Sequence, residues 1–547
     1  MSTVTVEHPS IGSVKGREGD GVYQFLGVQY ATLADRLAEA QVKSTYESPV
    51  DATSHGPSSF SPPNGYDNEM LFIQKSMPKP PIVHSDLGCL NLNITVPKGQ
   101  SGVVDLTRQK LPVFIWMHGG GFVVGANSWP HYDHAKLVKL ARDNGVPVIG
   151  VGINFRLGFP GMLTSEELRQ RGYKPNNGLR DQQAAFRWVK QHIAGFGGDP
   201  NKITVIGESA GAVATTLHLY SKEALFNRAI ATGGSCLLVP VFPPEVQEHT
   251  YQQLLSILGL DKLDAEERIQ KLLTLPMDEV IAKLPPSVTF LPTVDGDIIP
   301  VQPTFAEVAD RTDQSMPGKQ WLEALMIGHS EFDASVLGFM LGHLKSGIRE
   351  KFPASLRSSL SATPEIAESL LAAYGFNDST LDDDEAAFVK FLELVNDISF
   401  FGATTSFARG WPLSPAAEPK IFPFFFNEPN PWPGAYPGRA THVLDVVFLF
   451  QNHNQNLPPA QRAAAEAFGL DVVRFVAGQA PWAGYTPEKR AAKVFGPSTG
   501  NEARATARVI EDAEAPETGR GKAILDIGDK VGFDKLNEAV GRFRMGL

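Results

Sequence analysis

Ile203-Thr204-Val205-Ile206-Gly207-Glu208-Ser209-Ala210-Gly211 decides the fold. The β-branched apolar run reads as a buried strand. It ends on a serine framed by glycines, and the residues behind it, Ala212 to Leu219, can continue as a helix. A serine on so sharp a strand-to-helix turn has its hydroxyl pushed out to the sheet edge, and small neighbours are needed because the turn is crowded. Alone, a Gly-x-Ser-x-Gly pentapeptide in a chain with 51 glycines is most simply a tight turn. A second motif upstream changes that reading. Val113-Phe114-Ile115-Trp116 is another strand-like run, and it leads to His118-Gly119-Gly120-Gly121-Phe122. A glycine run bares backbone N–H groups that can close on an oxyanion. Together the two motifs specify acyl transfer through a serine nucleophile.

Working outward, Val22 to Val28 reads as an early strand, and residues 55–88, rich in Pro, Gly and Ser, as a long irregular loop. Leu90 to Val96 alternates apolar and polar residues, the pattern of a half-buried strand. Strand 111–117 delivers the glycine run, and Val146 to Ile153 is the next buried strand. Asp181 to Phe196 carries Ala184, Ala185, Trp188, Val189 and Ile193 at helical spacing, and Gly197-Gly198-Asp199-Pro200 stops that helix. Alternating strands and helices predict an α/β fold with a central, mostly parallel sheet flanked by helices. From about 240 to 400 the pattern is helical, as in Leu254 to Leu273 and Pro364 to Tyr374, interrupted by a strand at 322–328; another strand follows at 421–426. This reads as a helical insertion over the carboxyl ends of the sheet, where ligands bind. Large α/β enzymes grow by insertion into one core, so residues 1–547 are read as a single domain.

Hydrophobic residues make up 42% and charged residues 20%, ordinary for a globular protein able to bury a sizeable core. The net charge is −11 with no Lys/Arg cluster, which argues against a nucleic-acid partner. There is no run of eighteen apolar residues, so no membrane span is expected. No Cys/His cluster has ligand spacing and no dinucleotide fingerprint is present, so neither metal nor cofactor is expected. Cys89 and Cys236 lie far apart and read as free buried thiols. The first residues lack a basic segment and an apolar segment, and the sequons at Asn93 and Asn377 then read as idle. A cytoplasmic protein acting on a small-molecule ester is the expectation. The sequence does not define an oligomeric state.

The chain also resembles the type-B carboxylesterases, the family of the cholinesterases and some fungal lipases. The resemblance is carried by Phe25-Leu26-Gly27-Val28-Gln29-Tyr30-Ala31, Asn177-Gly178-Leu179-Arg180-Asp181-Gln182 and Phe196-Gly197-Gly198-Asp199-Pro200. It continues in Val294-Asp295-Gly296 with Ile299-Pro300, and in Thr441-His442-Val443-Leu444-Asp445-Val446. It implies an α/β-hydrolase fold and ester hydrolysis.

A serine hydroxyl needs an adjacent base, and in this fold the chain order is serine, acid, histidine. His343, in an apolar helical stretch, reads as a packing residue. His453, in Gln451-Asn452-His453-Asn454, reads as a solvated helix end. His442 follows the loop after the 421–426 strand, where the base belongs, and the family motif falls there too. The acid should follow the 322–328 strand, with Glu331 and Asp333 as candidates. The family pattern places it at Asp333, where glutamate is usual. The oxyanion hole is expected from the N–H groups of Gly120, Gly121 and Ala210, the last at a helix N-terminus. His118 reads as a scaffold residue of that loop. Phe122 is expected near the substrate. The family implies the same for Glu208, for which a satisfied buried carboxylate is an equal alternative. Asp445 reads as a helix N-cap or loop anchor. Trp129, Phe332, Phe339 and Trp432 are candidates for pocket walls, though core packing is their more frequent role.

The chain departs from the family in two places. Cys89 matches the second cysteine of a disulfide loop usual in secreted members, but Ser58 to Pro62 offers it no partner, which leaves the loop over 60–88 unbridged. Gly233 stands where many members carry a serine. Two competing readings share the fold: a non-catalytic binding protein, which would lack the nucleophile, and an acyltransferase using an acceptor other than water.

Overall fold

The structure is a computed structural model, and it describes residues 2–99, 106, 109–414, 416, 418–498, 505–514 and 520–546. In chain order the strands are β1 (Thr3–His8), β2 (Gly12–Glu18), β3 (Val22–Gln29), β4 (Ala31–Thr32), β5 (Gln41–Val42), β6 (Val50–Asp51), β7 (Asn91–Pro97) and β8 (Leu111–Met117). They continue as β9 (Ile149–Ile153), β10 (Gly198–Glu208), β11 (Arg228–Thr232), β12 (Ala324–Ser330), β13 (Ile421–Phe426), β14 (Ala492–Phe495) and β15 (Ala507–Ile510). The central sheet runs β1-β2-β3-β7-β9-β8-β10-β11-β12-β13-β14-β15, with β6 beside β2. From β9 to β14 every neighbouring pair is parallel. Antiparallel strands close both flanks.

The parallel strands are buried on both faces, as their apolar sequences demand. Successive side chains of β8 alternate between two cores. Val113, Ile115 and Met117 join Trp188, Val205 and Ile327 on one face. Phe114 and Trp116 join Leu137, Ile206 and Phe448 on the other. β10 begins earlier than its apolar run suggests: Gly198 pairs with Leu111 of β8, and the register then shifts across an irregularity before Ile203 meets Val113.

Several expectations are corrected. β7 is fully buried, not half-buried. Its polar residues are used internally: Asn93 accepts from the Gly27 N–H at 2.9 Å and donates to the Asn127 carbonyl at 3.1 Å, so this sequon is closed to glycosylation in the fold. Leu254 to Leu273 is not one helix. Gly259 ends the first at a φ of 71°, and Asp264 with Glu267 forms a capping box that starts the next. β12 is a central strand, so the helical material forms two excursions, before and after it. Finally, residues 55–88 are not wholly irregular. They contain a helix, Gly65–Ile73, that buries Tyr66, Glu69, Met70 and Ile73.

That segment closes without a disulfide. Ser58 accepts from the Ser85 N–H at 3.1 Å and donates its own N–H to the Val83 carbonyl at 2.8 Å. The Phe60 ring stacks on His84 at 5.3 Å. Cys89 and Cys236 are free and buried, and burial pushes both thiols up to about 12. Dithiothreitol is therefore expected to leave the melting temperature unchanged in a thermal scan; a clear fall would reveal a bridge.

Helices Arg520–Val531 and Phe533–Arg544 pack back onto both excursions. The Phe543 ring meets Phe352 at 5.2 Å and Phe391 at 5.3 Å, and Phe533 stacks on Phe305 at 5.6 Å.

Candidate active site

Four parallel strands deliver the site from their carboxyl ends. β8 leads into the glycine run, β10 into Ser209, β12 into Asp333 and β13 into the loop that carries His442. Ser209 has φ 53° and ψ −123°, a sparsely populated region that costs roughly 1–3 kcal/mol. The crowding explains both flanking glycines. A Cβ on Gly207 would overlap the Gly211 carbonyl, and one on Gly211 would overlap the Met117 carbonyl. The turn is pinned by the Ser209 N–H donating to the Thr232 carbonyl at 3.1 Å. Ser209 is partly exposed between buried neighbours.

The acid loop and the histidine loop are laced together. Phe332 donates its N–H to the Ala440 carbonyl at 2.9 Å, and the His442 N–H donates to Ser335 Oγ at 3.0 Å. This sets the Asp333 carboxylate against the imidazole, with Oδ1 at 2.7 Å from Nδ1. The other oxygen, Oδ2, accepts from the Ser330 N–H at 2.7 Å. Glu331 points elsewhere: it pairs with Arg439 at 2.6 Å, and that guanidinium lies 4.1 Å over the Phe332 ring. A Cβ on Gly233 would sit 3.3 Å from both Asp333 Oδ1 and the His442 ring, so this departure from the family falls directly beside the pair.

Glu208 is buried beside the same imidazole, with Oε1 at 3.1 Å from His442 Nε2. The contact has ion-pair distance but not hydrogen-bond direction, and neither atom has a hydrogen-bond partner among the described residues. Burial, and then the charges of Glu69, Asp445 and Asp333, push the Glu208 carboxyl far above the usual range, against the pull of His442. For His442, burial pulls downward but Glu208 and then Asp333 outweigh it, and the imidazole is held up at about 9. The two groups act as one unit that holds a proton tightly.

On the other wall, Gly120 and Gly121 have φ of 96° and 63°, a region that favours glycine. Among the described residues, the N–H groups of Gly120, Gly121 and Ala210 have no hydrogen-bond partner in the chain. His118 holds this loop: Nδ1 donates to the Gly119 carbonyl at 2.9 Å, the ring stacks on Phe155 at 4.6 Å, and burial lowers the imidazole to about 4, keeping it neutral. Phe122 is buried and its carbonyl accepts from the Gly158 N–H at 2.8 Å. It therefore braces the loop from within.

His343 is exposed rather than packed, because its short helix ends before reaching it. His453 is fully buried against Trp432, not solvated. Asp445 is not an N-cap, since Val443 holds that position; it ties the loop to the end of β11 through a hydrogen bond with Thr232. Trp129, Phe332 and Trp432 are buried in the core, whereas Phe339 is 53% exposed. One buried acid near the site was not singled out in the sequence. Glu69 accepts from the Tyr132 hydroxyl at 2.6 Å and lies 3.4 Å from His131 Nε2.

The sequence pattern of the carboxylesterase family matches residues 2–476. The chain belongs to the carboxylesterase family. Among curated proteins it is similar to the para-nitrobenzyl esterase of Bacillus subtilis (strain 168), 32% identical over 275 residues, covering 49% of this chain and 50% of that protein. It is 31% identical to the pyrethroid hydrolase Ces2a of Mus musculus over 398 residues, covering 70% of this chain and 65% of that protein. The chain spans about half the length of several curated relatives it matches. Among solved structures, a Geobacillus stearothermophilus carboxylesterase, EST55, superposes with a TM-score of 0.70 at 24% identity, covering 95% of this chain and 99% of that one. A PNB esterase structure gives 0.71, also at 24% identity, with the same coverage. The fold is the α/β-hydrolase fold that typifies carboxylesterase-family chains.

Proposed function

We propose that this protein is a serine carboxylesterase that hydrolyses a small-molecule carboxylic ester through an acyl-enzyme. The observation that carries the reading is the strained Ser209 turn set beside a buried Asp333–His442 pair at 2.7 Å. In this proposal Ser209 Oγ attacks the ester carbonyl carbon and its proton passes to His442 Nε2, which has no hydrogen-bond partner among the described residues. Asp333 fixes the tautomer with Nδ1–H and stabilises the imidazolium. The carbonyl oxygen, becoming an oxyanion, accepts from the N–H groups of Gly120, Gly121 and Ala210; losing one such donor costs about 2.7–4 kcal/mol. His442 returns the proton to the departing alcohol, and water then releases the acid by the reverse path. We extend the proposal to one hydrolase domain in the cytoplasm, a reading supported by a core cluster continuous across both helical excursions and by two unbridged thiols.

A fluorophosphonate is expected to form one adduct, on Ser209, located by peptide mass spectrometry, and to stop p-nitrophenyl ester turnover in proportion. An adduct on another serine overturns the assignment. Every group in this mechanism is a side chain or a backbone amide, so turnover is expected to survive exhaustive EDTA treatment; a loss restored by added metal would contradict it.

A further inference from the structure

The end of β11 touches the carriers of all three reacting groups. Its last residue, Thr232, pairs with Glu208 of β10 on one side and with Gly328 of β12 on the other. The Thr232 carbonyl accepts the Ser209 N–H at 3.1 Å, and its hydroxyl donates to Asp445, on the helix that follows His442. Gly233 comes next at a φ of 58°, and its N–H donates to the Gly328 carbonyl at 3.0 Å. Further along β12, the Ser330 N–H holds Asp333 Oδ2 at 2.7 Å. Two consecutive residues thus fasten the serine turn, the strand before the acid and the helix behind the histidine.

The second of them has no room for a side chain. A Cβ on Gly233 would lie 3.3 Å from Asp333 Oδ1, 3.3 Å from His442 Cε1 and 3.5 Å from its Nδ1. It would press on both partners of the hydrogen bond at once, so the pair would have to give by a few tenths of an ångström. Neither partner is free to do so. Asp333 is fully buried and its other oxygen is held by Ser330. The His442 N–H is held by Ser335 Oγ at 3.0 Å. Its ring is bounded by Phe400, at a ring distance of 6.2 Å, and by Glu208 Oε1, 3.1 Å from Nε2. A side chain at 233 would therefore lengthen or bend the contact between Oδ1 and Nδ1.

We propose that Gly233 is a positioning residue for the Ser209 chemistry, its bare α-carbon letting Asp333 and His442 close to 2.7 Å. The inference rests on the esterase reading above. Gly233 touches no reacting atom of the substrate. It acts through the pair, which takes the proton of Ser209 Oγ and returns it to the leaving alcohol. Displacing the pair slows those proton transfers and leaves the binding of the ester in place.

The test is kcat and KM for p-nitrophenyl acetate, together with the rate and stoichiometry of fluorophosphonate labelling. A misplacement of about 1 Å can cost about 10²-fold, so a few tenths of an ångström in G233A is expected to cost about tenfold in kcat. KM should stay within about twofold of the parent, and the labelling rate should fall in step with kcat, because both need an activated serine. G145A is the control. Gly145 lies beyond helix Ala135–Asp143 at a φ of 74°, and an added Cβ there meets nothing within 4 Å. Alanine at 145 therefore takes on the same kind of backbone strain without touching the pair, and G145A is expected to keep the parent kcat. If G233A does not fold, G233N takes its place, since asparagine tolerates positive φ better and brings the same Cβ; G145N is then its control. A kcat and labelling rate at 233 within twofold of the control overturn the proposal, as does a loss confined to KM. A parent protein that takes no label at Ser209 sinks the esterase reading itself, whereas a labelled parent with an indifferent G233A sinks this inference alone.

Discussion

Ser209→Ala is expected to lower kcat for ester hydrolysis by about 10⁶-fold while the protein stays folded. The size follows from what is lost. Without Oγ no acyl-enzyme forms, and His442 and the N–H groups of Gly120, Gly121 and Ala210 can assist only a direct attack by water. Removal of a nucleophilic serine alone costs about as much as removal of a whole triad, because the members act as a unit. The fold is spared because the Ser209 turn is held by its backbone. The Thr232 carbonyl and the Val213 N–H grip the peptide groups on either side at 3.1 and 2.9 Å. Alanine meets the same positive φ with no larger side chain. Turnover, fluorophosphonate labelling and circular dichroism together check it. Residual activity within a hundredfold of the parent would mean another nucleophile.

Asp333→Asn is expected to cost up to about 10⁴-fold in kcat, the loss known for the corresponding change in a serine protease. The amide keeps the size of the carboxylate but not its charge, and it can offer Nδ1 of His442 an N–H instead of an acceptor, reversing the tautomer. The imidazolium formed during the reaction would face a neutral neighbour. Glu331→Gln is expected to cost no more than about tenfold, since Glu331 is engaged with Arg439 on the far side of Phe332. Asp333→Glu should retain part of the activity. Its added methylene must fit beside Gly233, where the backbone already lies close to both members of the pair. A large loss in Glu331→Gln with near-normal Asp333→Asn would move the acid's role to Glu331.

The strands of the sheet and the serine turn were legible because they depend on local rules. Alternating or continuous apolar runs mark β8, β9 and β13, and crowding at Gly207 and Gly211 leaves its trace as glycine. Other features depend on distant partners. β7 looked half-exposed because Asn91, Asn93 and Thr95 are polar, yet Asn91 and Asn93 are satisfied by loops that only the tertiary structure brings near, and Thr95 by Gln24 of the neighbouring β3. His343 and His453 were read in opposite senses for the same reason: burial was inferred from immediate neighbours, and the decisive neighbours, such as Trp432, lie elsewhere in the chain. The Gly65–Ile73 helix was hidden by its own chemistry. Tyr66, Met70 and Ile73 have helical spacing, but the fourth member of that face is Glu69, which breaks the apolar pattern. Prolines and glycines on both sides completed the disguise. A charged residue on an otherwise apolar helical face was the signal that could have identified it.

The aromatic contacts of Phe533 and Phe543 bear on how the molecule is made. The helices that receive them, around Phe305, Phe352 and Phe391, leave the ribosome well before their covering does. Until then a broad oily surface faces water, and the nascent chain is a natural client for a holding chaperone. Every residue assigned here to chemistry is synthesised before that surface can be sealed. A premature stop just before Arg520 would therefore leave the reactive groups encoded but is expected to yield aggregates in place of a weakened enzyme.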